Sequence, residues 1–179
     1  MVKVMVGMDM HSNLADSLIS KFVLLKSRSV AVVSQLSEED ILWSPNEESN
    51  SIANLALHIR ETVRHRVEAI FFGPQEIRDR DKEFHSSLVV SKDEAIAAFE
   101  QSFDILIQVV KGMSEEDFLK QPYMDNPPAQ SAMNKEATVL DICLQMLAHL
   151  SEHAGQIFYI AKARLNDQYV TTTFPKKKE

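Results

Sequence analysis

One cysteine, Cys143, stands in the whole chain, so no disulfide can close within it, and a lone thiol fits a reducing cytoplasm. Glycine is nearly as scarce, at four residues, and so few hinges among long apolar-periodic stretches favour helices over a β-sandwich or a glycine-looped nucleotide fold. No phosphate loop, dinucleotide fingerprint, serine elbow or CxxC pair occurs. Long hydrophobic runs are also missing: none approaches the roughly 20 residues that cross a bilayer. The apolar opening at 1–8 is short and lacks a small-residue cleavage pattern, so it reads as a loosely held terminus rather than a signal peptide. Nor is there surplus positive charge: a net charge of −7 works against binding nucleic acid or an anionic membrane. Hydrophobic and charged contents of 45% and 25% are ordinary for a folded chain, and 179 residues is the size of one domain.

What the chain does have is helical periodicity. A first helix over 9–35 repeats Leu14, Leu18, Phe22, Leu25 and Val32. A second, over 51–72, carries Ile52, Leu55, Ile59, Val63 and Ile70 behind a Ser51 N-cap and stops at Gly73-Pro74. A third opens at Ser91, sets Asp93 and Glu94 against the helix dipole, and runs through Ala95, Phe99, Phe103, Leu106 and Val110 to Gly112. The fourth begins near Thr138, with Asp141 three residues on, and ends around Asn166. After the first helix comes Leu-Ser-Glu-Glu-Asp-Ile-Leu-Trp-Ser-Pro at 36–45, and after the third Met-Ser-Glu-Glu-Asp-Phe-Leu-Lys-Gln-Pro at 113–122. Each reads as a serine-capped single turn, a hydrophobic pin and a terminating proline. Four helices in two similar halves predict an all-α four-helix bundle at 9–167, with a solvated C-terminal tail at 168–179. The connections 74–90 and 113–137 exceed the usual length of about 2–8 residues, and either cover a site or cross over between parallel helices.

The fourth helix holds His149 and His153, four residues apart and so on one face, where both imidazoles can grip one ion. His153 falls within the stripe of Val139, Ile142, Met146, Leu150, Ile157 and Ile160, and His149 at its edge; a half-buried, hydrogen-bonded pair without an ion fits the same spacing. On the second helix, His58 lies on a flank of the stripe beside Thr62 and His65, which places it at a groove edge rather than in the deepest core.

Ser-Ile-Ala-Asn-Leu-x-x-His at 51–58 and His-x-x-x-His-x-Gly-Gln-Ile at 149–157, with the segments 45–50 and 78–84, resemble the DinB/YfiT-like superfamily of four-helix bundles, and within it a branch of unknown function. The likeness spans the second to fourth helices. In that superfamily one histidine from the second helix and two from the fourth bind a divalent metal, so the resemblance implies His58, His149 and His153 as ligands here. Three neutral imidazoles leave the ion's charge uncompensated and a coordination position open, so such a site can polarise water or stabilise a thiolate. Zinc, nickel and iron all suit imidazole. Ligand histidines need acceptors on their free nitrogens, and Gln145, Glu152, Gln156 and Asn54 are the nearby polar candidates. Some superfamily members resemble thiol transferases, which implies a metal-dependent thiol S-transferase with a small-molecule thiol or electrophile as partner, no catalytic residue assigned, and a homodimer as an open possibility. The alternatives are a non-enzymatic binding or stress-response protein on the same scaffold, or a metal-dependent hydrolase.

His149-x-x-Glu152-His153 also spells the inverted zinc-peptidase pattern, but that chemistry needs a downstream carboxylate ligand, and only Asp167, Glu179 and the C-terminus follow. Arg60, Arg64, Arg66, Arg78 and Arg80 read as partners of Glu61, Glu68, Asp79 and Asp81 on a solvated surface, or as an anion-binding group. His11, His65 and His85 read as surface residues. Cys143 lies about 120° around the helix from His149, a poor partner for the same ion.

Overall fold

A computed structural model of the chain describes residues 10–71, 78–85, 87–122 and 137–172. Every regular element among them is helical: α1 (Met10–Val33), α2 (Glu38–Leu42), α3 (Ile52–Phe71), α4 (Arg80–Glu83), α5 (Lys92–Gly112), α6 (Glu115–Leu119) and α7 (Val139–Leu165), with a 3₁₀ turn at Asn166–Gln168. No helix among the described residues is long and apolar enough to cross a membrane. The expected terminus at 1–8, the Gly73-Pro74 stop and most of the 168–179 tail lie outside the described residues.

Local chemistry fixes where the helices begin. Ser37, Ser91, Ser114 and Thr138 each accept the N–H of the third helical residue, and that residue's carboxylate bonds back to the cap. Ser51 starts α3 the same way with an amide in place of the acid: Asn54 N–H donates to Ser51 Oγ at 3.2 Å, and Asn54 Oδ1 accepts from Ser51 N–H at 3.2 Å. Asn166 ends α7 with φ 46°, a left-handed conformation that asparagine tolerates better than most residues.

The four long helices enclose one apolar core, α1 and α3 each lying against both α5 and α7. Phe22, Phe99, Phe103, Leu55, Ile142, Met146 and Leu150 are fully buried in it, on the faces that periodicity marked. Leu14, Leu25 and Ile70, expected in the same stripes, are only partly buried at its margin. The two serine-capped turns are α2 and α6, pinned by the buried Ile41 and Phe118. Arg164 of α7 holds α2 from the side, through Asp40 Oδ1 at 2.5 Å.

The 74–90 connection contains α4, which packs on α3. Asn54 makes that attachment: its Nδ2 donates to the carbonyls of Glu83 at 3.0 Å and His85 at 3.3 Å. One side chain therefore both caps α3 and fixes the segment that carries Glu83.

Candidate metal centre

The histidines that sequence reasoning set apart do meet. His58 Nε2 is 3.0 Å from His149 Nε2, and His153 Nε2 is 3.2 Å from the same atom. One ring nitrogen from each residue lies within 4.8 Å of the other two. An ion about 2.1 Å from three imidazole nitrogens sets them roughly 2.9–3.4 Å apart, between octahedral and tetrahedral angles, so the two short distances fit such a ligand set.

His58 is not at a groove edge as the wheel suggested; it is 4% exposed, deeper than the half-buried His149 and His153. The reason is the segment 78–85, which folds over that flank of α3. Its Glu83, 1% exposed, takes the Nδ1–H of His58 at 2.9 Å, and the Phe84 ring lies 4.9 Å from the imidazole. Arg78 closes the group from above: Nε donates to Glu83 Oε1 at 2.5 Å, and Nη2 donates to Glu83 Oε2 at 2.7 Å and Thr62 Oγ1 at 2.6 Å. Burial alone would raise the Glu83 carboxyl pKa, but the bonds from Arg78 and His58 outweigh it and hold the group ionised.

Glu83 escaped the sequence reading, which placed Arg78 among surface pairs. Arg60 and Arg64 do pair along α3 with Glu61 and Glu68, at 3.0–3.2 Å. Arg78 turns inward instead. The only signal for Glu83 was its place in the Arg-Asp-Arg-Asp-Lys-Glu run, where nothing separates it from its acidic neighbours.

Ring tautomers follow from these partners. An ionised carboxylate only accepts, so His58 carries its proton on Nδ1 and presents a bare Nε2 to the cluster. His153 Nδ1 lies 2.8 Å from Gln156 Oε1, also only an acceptor, so its Nε2 is bare as well. At most one proton, on His149 Nε2, is left among three converging nitrogens. Burial pushes the His149 pKa down to about 4, reinforced by His153 and His58, and burial likewise lowers His58. Rings that turn bare Nε2 atoms toward one point are the donor set a borderline cation accepts.

A family model described as Protein of unknown function (DUF1572) matches residues 9–178. The chain belongs to that family. No curated protein matches it. The matched span contains all three converging histidines together with Glu83, Arg78 and Gln156.

The other candidates of this DUF1572 chain are placed elsewhere. His65, expected at the surface, is buried on α3, 9% exposed, and its pKa is lowered by burial and then by Arg66 and Arg78. His85 is exposed, its Nδ1 taken by Ser87, and the side chain of His11 lies outside the described residues. Of the proposed acceptors, Gln156 serves His153, Asn54 serves the backbone around Glu83, and Glu152 is exposed and outside the histidine cluster. Cys143 is buried away from the cluster, its thiol pKa pushed up to about 11 by burial. Two cavities flank the 44–51 loop, neither of them lined by His58, His149 or His153. One, of about 650 Å³, includes Glu48, Glu152, Gln156 and Tyr159; the other, of about 890 Å³, includes Glu47, Glu48, Asn54 and Phe84.

Proposed function

We propose that His58, His149 and His153 ligate one divalent cation (zinc, nickel or iron) through Nε2, and that the protein uses its open face to transfer a small thiol to an electrophile. The observation that carries this reading is the convergence of three Nε2 atoms, two of them kept bare by acceptors on the opposite ring nitrogen. A bundle of the DinB/YfiT-like type is the scaffold we assign to it, supported by four long helices around one core with one histidine on the second and two on the fourth.

When bound, the cation would supply Lewis acidity, lowering the pKa of a thiol or water in the remaining position. The chain's own residues do the rest. Glu83 and Gln156 orient two of the rings, and Arg78 holds Glu83 ionised. The α7 histidines are partly exposed; Gln156, which bonds His153, lines one flanking cavity, and Phe84, which packs on His58, lines the other. Their linings carry Glu47, Glu48 and Glu152 and no basic side chain among the described residues, while Arg78 is engaged with Glu83 and Thr62. Those carboxylates favour a thiol that bears an amine where it reaches into either cavity.

The test is elemental analysis of protein purified without a metal-loading tag, followed by conjugation assays with an amine-bearing thiol and a generic electrophile. We expect one ion per chain, strong loss in His58→Ala, His149→Ala and His153→Ala but not in His85→Ala, and a rate above background that His149→Ala abolishes. A metal-loaded protein with a background rate would leave a non-enzymatic binding role.

A further inference from the structure

Gly155 stands inside α7, where glycine is a poorer helix residue than alanine. Two local needs keep a glycine in such a place: a left-handed backbone, or a close neighbour that a Cβ would strike. Neither applies here. Its backbone is helical, and beyond its own helix backbone no atom of the described residues lies within 4 Å of where a Cβ would stand. The fold among the described residues therefore gives no reason for the glycine.

The space beside it does give one. Gly155 lines the cavity of about 650 Å³ together with Glu48, Glu152, Gln156, Tyr159 and Ile160, so a side chain at 155 would take up part of that volume. The lining suits one kind of molecule. Glu48 and Glu152 are its only charged side chains, the Tyr159 ring is 74% exposed and offers an open π face, and Ile160 adds apolar surface. An aromatic face with carboxylates and an apolar wall recognises an alkylammonium. Gln156 ties the cavity to the histidines, because it lines the one and its Oε1 lies 2.8 Å from His153 Nδ1.

We propose that Gly155 is a specificity-determining residue, its missing side chain keeping open the seat of the substrate's alkylammonium group in this cavity. This rests on the transfer reading above and names which cavity takes the amine of the thiol. The ammonium sits among Glu48, Glu152 and Tyr159, and the thiol end passes Gln156 toward the histidines. Bulk at position 155, and not charge alone, then decides which thiols enter.

The experiment compares wild type, Gly155→Ala, Gly155→Leu and Ala163→Leu, the last adding the same bulk at an exposed α7 position outside the cavity. It reads melting temperature, zinc titration, amide ¹H–¹⁵N shifts on adding butylammonium chloride, and the KM of zinc-loaded protein for 2-aminoethanethiol. In wild type, butylammonium should shift the amides of Glu152, Gly155 and Tyr159, and butanol should not. Gly155→Ala should melt about 2–4 °C higher, since alanine is the better helix residue and its methyl strikes nothing. Gly155→Leu should melt no lower than wild type and bind zinc as tightly, yet lose the butylammonium shifts and raise KM about 10-fold. Ala163→Leu should leave the shifts and KM unchanged. Shifts that persist in Gly155→Leu, none in wild type, or a lower melting temperature in Gly155→Ala would each overturn the assignment. Butylammonium shifts in a wild type that conjugates nothing would keep the seat and remove the transfer reading.

Discussion

Removing the Glu83 carboxylate should reverse the tautomer of His58 and disable it as a ligand while leaving the chain folded. Glu83 is 1% exposed and accepts three bonds, from Arg78 Nε at 2.5 Å, Arg78 Nη2 at 2.7 Å and His58 Nδ1 at 2.9 Å. In Glu83→Ala the guanidinium, whose side chain is 13% exposed, loses its counter-charge, and stranding a buried partner costs about 3–5 kcal/mol. Against a typical stability of about 5–15 kcal/mol the variant folds, with a lowered melting temperature. Arg78 Nη2 already lies 3.2 Å from His58 Nδ1, and a guanidinium can only donate. With the carboxylate gone, Nδ1 becomes the acceptor and the ring proton moves to Nε2, into the cluster. Zinc affinity should then fall about 100-fold, the upper end for losing an outer partner of a ligand. The double variant Arg78→Ala/Glu83→Ala removes the stranded charge, so it should regain much of the lost stability but not the affinity, because His58 still lacks an acceptor. Denaturant titrations, zinc competition and ring ¹H–¹⁵N correlations read the three quantities separately. Wild-type zinc affinity in Glu83→Ala, or a His58 that keeps its proton on Nδ1, would refute the reasoning.

Two further outcomes follow from the same geometry. The pKa values of His58, His65 and His149 are depressed below the ordinary 6.5, His149 to about 4, so below 6.5 the unfolded chain binds protons that the native chain refuses. Stability of the metal-free protein should be level above pH 7 and fall on acidification, by up to about 1.4 kcal/mol per pH unit for each histidine, with Glu83 adding its own loss below its ordinary 4.5. Denaturant midpoints that stay flat from pH 7 to 5 would contradict this. Asn54→Ala removes both the cap of α3 and the tether to Glu83 and His85, and should cost about 2 kcal/mol and weaken zinc binding. Ser51→Ala, which loses the cap alone, should cost about 1 kcal/mol and leave zinc affinity intact in the same titration.

The helices were legible because their information is local. Apolar spacing located α1, α3, α5 and α7, and the caps at Ser51, Ser91 and Thr138 located the starts of the last three to within a residue or two. The His149–His153 pair was legible for the same reason, being one helical turn apart. His58 was harder: its own helix placed it on a flank, and only the resemblance joined it to the other two. A wheel records which side of a helix is apolar, not what later folds over the polar side. The segment 78–85 does that here, burying His58 and Glu83 by contacts 25 residues apart. His65 was misplaced by the same logic, on a face that reads as solvated and is 9% exposed.

The central claim is that one cation sits among the three Nε2 atoms. Anomalous diffraction at the zinc edge, from crystals of zinc-loaded protein, tests it most directly. The account predicts a single strong peak about 2.1 Å from Nε2 of His58, His149 and His153, with Glu83 on the opposite nitrogen of His58. A peak at other residues, or none at saturating zinc with the three rings still in mutual contact, would contradict it.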